Sequence, residues 1–151
     1  MQDNDYKFFT IGYEGNSFEH YLNRLINNNV KVLCDVRKNA ISRKYGFSKK
    51  TLANALENLG IQYIHFSELG IESEKRKNLI VKSDYDALFE EYENTTLKEN
   101  AKALENIYNV FLEKKRVAIT CFEADHCMCH RNSVVKALLK FPSWQFPIEH
   151  I

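Results

Sequence analysis

The sequence predicts an α/β fold: a mostly parallel sheet of five strands with helices on both faces. Two observations lead there. Short apolar runs suited to buried strands alternate with stretches of helical periodicity, which calls for right-handed crossovers between parallel strands. A length of 151 residues, 44% of them hydrophobic, is enough for one core and too short for two, so residues 1–151 are read as a single domain.

The first strand is Lys7 to Ile11, stopped by Gly12. A helix follows, opened by Asn16 with Glu19 three residues on, and carrying Phe18, Tyr21, Leu22, Leu25 and Ile26 on one face. Val30 to Val36 is the second strand, and Asp35-Val36-Arg37 its exit. Ser48 caps a helix with Leu52, Ala55, Leu56 and Leu59 inward, and Gly60 stands where a left-handed C-terminal residue belongs. Ile61 to Phe66 makes the third strand. From Glu68-Leu69-Gly70 to about Lys82 the chain is charged and weakly patterned, the pattern of a mobile loop or lid over residues 71–83. Asp84 opens one helix and Thr96, with Glu99, another. Arg116 to Phe122 is the fourth strand, a last helix carries Val134, Val135, Leu138 and Leu139, and Gln145 to Ile151 is an edge strand limited by Pro147.

Composition excludes several classes. A net charge of +1 gives no global attraction to nucleic acid or an anionic membrane. Local asymmetry exists: Arg37, Lys38, Arg43, Lys44, Lys49 and Lys50 occur without an acidic residue between them, whereas residues 84–105 are mainly acidic among their charges. No leader pattern and no apolar stretch of roughly 18 residues is present, so a cytoplasmic protein without a membrane partner is expected. In that reducing compartment the four cysteines should be free thiols.

In open parallel sheets ligands bind beyond the carboxyl ends of the strands. Here those ends carry Gly12-Tyr13-Glu14-Gly15, Asp35-Val36-Arg37, Glu68-Leu69-Gly70, and Cys121-Phe122-Glu123 leading to Cys129-His130-Arg131. Gly12 and Gly15 suit a tight turn as well as a ligand, and they lack the third glycine of a dinucleotide fingerprint. Asp35 and Arg37 suit a structural ion pair; alternatively Arg37 and Arg43 present planar forks to an anion, with Asp35 orienting one of them or acting as a base.

The segment from Cys121 to Arg131 admits four readings. Zinc would draw on Cys121, His126, Cys127, Cys129 or His130, without paired knuckles. Cys129 would be a thiol nucleophile near a helix N-terminus, although the Cys-x5-Arg spacing of phosphatases is missing. Glu123 and His130 would be acid and base, with Arg131 holding an anionic substrate. Or the segment is structural, a small buried Cys129 at a helix start.

Thr10-Ile11-Gly12-Tyr13, Asp35-Val36-Arg37, Ser42-Arg43, Gly60 to His65, Leu69-Gly70, Cys121-Phe122-Glu123 and Cys129-His130-Arg131 occur in the order typical of one family. The sequence resembles the domain of unknown function 488 family from about Phe9 to Glu149-His150-Ile151. The resemblance implies a three-layer Rossmann-like α/β sandwich and a presumed site of Arg37, Arg43, Glu123, Cys129, His130 and Arg131. Tyr13 stands where many relatives have histidine, Asn39-Ala40-Ile41 lacks a proline usual near Ala40, and His126 and Cys127 are peculiar to this member.

The expected function is therefore an enzyme acting on a phosphorylated small molecule, nucleotide or nucleic-acid end. Glu123, His130, Cys129 and Asp35 are the catalytic candidates; Gly12, Tyr13, Arg37, Arg43 and Arg131 are the substrate-binding ones. No metal ligand is assigned and no cofactor is named. The alternatives are a noncatalytic nucleic-acid-binding module using the 37–50 loop, with Tyr45 and Phe47 as stacking surfaces, and a metal-dependent hydrolase or lyase built on the Cys/His cluster.

Overall fold

The computed structural model describes residues 5–123 and 129–151. In chain order the elements are β1 (Lys7–Gly12), α1 (Phe18–Asn27), β2 (Val32–Asp35), α2 (Lys49–Asn58), β3 (Gln62–His65), α3 (Lys82–Asn94), α4 (Thr96–Glu99), α5 (Ala101–Lys114), β4 (Arg116–Cys121), α6 (Arg131–Leu139) and β5 (Ile148–His150). Two 3-10 turns, Ser67–Leu69 and Ser73–Arg76, lie between β3 and α3. The strands form one sheet in the order β3-β2-β4-β1-β5, and every pairing is parallel. No helix among the described residues is long and apolar enough to cross a membrane.

Alternation along the strands divides the core into two layers, because successive side chains point to opposite faces. Phe9, Ile11, Leu33 and Ala118 face Tyr21 and Leu25 of α1 and Leu52 and Leu56 of α2. Phe8, Val32, Cys34, Val117 and Ile119 face Leu88 and Tyr92 of α3, Ile107 and Phe111 of α5, and Val134 and Leu138 of α6. Burying each such Leu, Ile or Phe contributes roughly 1.5–3 kcal/mol. The result is the expected α/β sandwich, with a sheet that is parallel throughout.

The same division sets the site. β1 and β2 lead to α1 and α2 on one face, whereas β4, which lies between them, leads to α6 on the other. Loops that leave adjacent strand ends toward opposite faces open a crevice at the carboxyl end of the sheet. β1 and β4 reach it in register, Gly12 beside Cys121.

Local chemistry shifts some predicted boundaries. Ser17, not Asn16, caps α1 by accepting from the His20 N–H at 3.1 Å, while the Asn16 amide turns back to the Gly12 carbonyl at 3.4 Å. Gly60 takes φ +74° after α2, the left-handed position expected of it. The helix predicted from Thr96 is two pieces, the single turn α4 and then α5, divided at Asn100. The charged segment after Gly70 carries a 3-10 turn that ends at Arg76.

Candidate functional site

Two polar clusters occupy the crevice. The first is centred on Asp35, fully buried at the end of β2, where a lone carboxylate would be costly. Arg37 meets it as a fork, with Nη2 2.7 Å from Oδ2 and Nε 2.9 Å from Oδ1, and the Arg37 backbone N–H donates to Oδ1 at 3.1 Å. The Tyr63 hydroxyl of β3 donates to Oδ2 at 2.5 Å. The remaining Arg37 nitrogen, Nη1, donates to the Phe47 carbonyl at 2.6 Å and the Tyr13 hydroxyl at 3.2 Å. Burial works against the guanidinium charge, and the Asp35 carboxylate outweighs it, holding the Arg37 pKa above its ordinary value.

Tyr13 stacks on Phe47 with ring centroids 4.4 Å apart and meets Phe122 edge-on, so the basic loop folds down onto the β1 and β4 exits. Lys44 ties it there by donating to the Tyr13 carbonyl at 3.0 Å. Of the two aromatic residues read as stacking surfaces, Tyr45 is 80% exposed and Phe47 is buried. Arg43 is exposed and belongs to neither cluster.

The second cluster joins the end of β4 to the start of α6. Cys121, Cys129, His130 and Arg131 are all buried. Arg131 passes beneath the loop, its Nη1 3.3 Å from Cys121 Sγ and hydrogen-bonded to the Glu123 carbonyl. That carbonyl and guanidinium lie against Gly12, and any Cβ there would overlap both, which explains the glycine by close approach. The Arg131 backbone N–H, at the head of α6, points at Cys129 Sγ across 3.5 Å.

His130 has a defined tautomer. Its Nε2 lies 2.7 Å from the Val36 carbonyl, which only accepts, so Nε2 carries the proton and Nδ1 the lone pair. Nδ1 accepts from Arg76 Nη2 at 3.1 Å and lies 3.9 Å from Cys129 Sγ. Burial, reinforced by the Arg76 cation, pushes the His130 pKa down to about 3, so the ring is neutral at physiological pH.

Arg76, like Tyr63, is a residue that sequence reasoning missed. It arrives from the 3-10 turn after β3, donates to His130, and pairs with Glu123 through an Nη1 to Oε1 distance of 3.4 Å. Its side chain is 31% exposed and that of Glu123 20%, so this pair forms the solvent side of the cluster. The gap beneath Arg76, lined also by Leu79, Tyr85, Leu88 and Phe89, is about 10 Å³, room for one water. A wider cleft of about 410 Å³ opens beyond Tyr92, whose ring stands edge-on to His130, with Lys38, Lys75 and Glu91 among its walls.

For a metal, Cys121, Cys129 and His130 offer three ligand atoms within 4.8 Å of one another. Four free thiols were expected. Cys34 is one, buried with its pKa raised by burial, whereas Cys121 and Cys129 are joined as a disulfide, so the expectation fails for those two. His126 and Cys127, named in the zinc reading, lie outside the described residues.

A family model described as domain of unknown function DUF488 matches residues 17–138, a narrower span than the sequence resemblance suggested. No curated protein and no solved structure matches the chain.

Proposed function

Because the chain belongs to the DUF488 family, whose description assigns no activity, we propose a function from the site itself: an enzyme acting on a phosphorylated or otherwise anionic small molecule, a nucleotide or a nucleic-acid end. The observation that carries this reading is Arg76, a partly exposed guanidinium held at the sheet's carboxyl rim by one carboxylate and one neutral imidazole. A planar fork of donors suits phosphate oxygens. A ligand anion takes over those donors, and Glu123, released from the pair, becomes the proton-transfer group. His130 enters as a neutral acceptor fixed by Val36. Arg37 and Arg131 hold the loops that frame the rim, and the charged segment carrying Arg76 opens the narrow gap beneath it.

The test is thermal unfolding of the full chain against inorganic phosphate, phosphate monoesters and nucleotides. A genuine ligand at a hundred times its Kd stabilises by about 2.7 kcal/mol. Arg76→Ala should abolish the ligand-dependent rise, read from the variant's own unliganded midpoint. Glu123→Gln should keep the rise and lose turnover. Equal rises in wild type and Arg76→Ala, or none with any anion at millimolar concentration, would overturn the proposal.

A further inference from the structure

We infer that Cys121, Cys129 and His130, with the two sulfurs reduced, form a binding site for one thiophilic divalent cation of the zinc class, a proposal that does not rest on the anion reading and that takes over the His130 nitrogen Arg76 now uses. Three observations converge. The two sulfurs and the imidazole nitrogen come from two elements, the end of β4 and the start of α6, and lie within 4.8 Å of one another in a buried position. Second, the His130 ring is oriented for ligation: Nε2–H is committed to the Val36 carbonyl, leaving the Nδ1 lone pair on the side of Cys129 Sγ. A ligand histidine whose other nitrogen donates to a backbone carbonyl is the usual outer-shell arrangement of a zinc site. Third, two donors already face the sulfurs, the Arg131 guanidinium 3.3 Å from Cys121 Sγ and the first N–H of α6 3.5 Å from Cys129 Sγ, as outer partners do around metal-bound sulfur.

The backbone span agrees. The Cα atoms of Cys121 and Cys129 are 7.3 Å apart, beyond the roughly 4.4–6.8 Å that disulfides bridge. Two thiolates, each about 2.3 Å from a shared tetrahedral ion, sit farther apart than bonded sulfurs and suit that wider span. Two thiolates also neutralise a divalent charge, which lets the ion occupy a dry position. Glu123 Oε2 lies 3.6 Å from Cys121 Sγ, so a carboxylate is close to the proposed ligands. Arg76 now donates to Nδ1, and the ion displaces it from there while its pairing with Glu123 remains.

The experiment uses the full chain, reduced, freed of metal by chelation and kept anaerobic. Zn²⁺ is titrated against a chromophoric competitor, and Co²⁺ is followed through its thiolate charge-transfer absorption. One equivalent should bind, with the spectrum of tetrahedral cobalt carrying sulfur ligands. Cys121→Ser, Cys129→Ser and His130→Gln should each weaken binding by more than the roughly 10–100-fold typical of outer-shell partners. Cys34→Ser and Arg76→Ala should bind at least as tightly as wild type. Should a variant fail to fold, alkylation of wild type with and without Zn²⁺ gives the same answer, because the ion should protect Cys121 and Cys129. Failure of the reduced protein to bind, octahedral cobalt without sulfur bands, or protection of Cys127 in place of these two would overturn the site.

Discussion

Asp35 and Arg37 show what a single pair of residues asks of the fold. A carboxylate with no exposure is costly unless donors meet its oxygens, and here the Arg37 side chain, the Arg37 backbone N–H and the Tyr63 hydroxyl meet them. Removing one partner of a buried pair strands the other, so Arg37→Ala should destabilise by about 3–5 kcal/mol, whereas the exposed Arg43→Ala should stay within about 0.5 kcal/mol. Urea unfolding of both variants at unchanged m-value measures this; equal midpoints would mean that Arg37 is spare for a ligand. From sequence the two arginines look alike, both basic residues after β2. What separates them is the Phe47 carbonyl, the Tyr13 hydroxyl and Tyr63, groups brought by a loop, β1 and β3 that no local pattern connects to Arg37.

At the scale of elements, periodicity carried most of the fold, because a strand's alternation and a helix's apolar face are local properties of the chain. Strand positions, the Gly60 stop and the two helix-bearing faces were readable for that reason. The segment between Gly70 and α3 was not, since a short charged run has no period, and its contacts with the site, Arg76 on Glu123 and His130, span 47 and 54 residues. The start of α3 shows how such a segment is anchored. Asp84 accepts from the N–H groups of Ile80 at 2.9 Å and Val81 at 3.0 Å, and those bonds hold its carboxyl below the usual range. A depressed folded pKa contributes stability above the ordinary carboxylate pKa and loses it as pH falls through the folded value. Amide protection, taken relative to the intrinsic exchange rate at each pH, should therefore fall at Ile80, Val81 and the first turn of α3 in Asp84→Ala at neutral pH, and in wild type under acid. Sheet amides should keep their protection; if the helix start is unchanged in Asp84→Ala, the cap does not anchor this segment.

Across the whole molecule the two faces of the sheet are locked by phenols as well as by hydrocarbon. Tyr21 donates across the α1 layer to Thr120 Oγ1 at 2.7 Å, Tyr92 in the opposite layer to the Leu69 carbonyl at 2.5 Å, and Tyr63 at the sheet edge to Asp35. Burial raises the pKa of all three, and the Asp35 charge adds to the rise at Tyr63. For an acid whose folded pKa is raised, the stabilisation is complete below the unfolded value of about 10 and drains away as pH climbs above it. Because these residues sit in both layers and on both polar clusters' supports, their ionisation cannot be confined to one loop. In an alkaline titration of the 8 tyrosines, these 3 should yield phenolate absorbance only together with loss of circular dichroism. Complete ionisation near pH 10 with the dichroism intact would mean that the layers do not depend on these phenols. A substitution that loosens one face, such as Tyr92→Phe, should bring the transition of the other face to lower pH as well, since the sheet between them is shared.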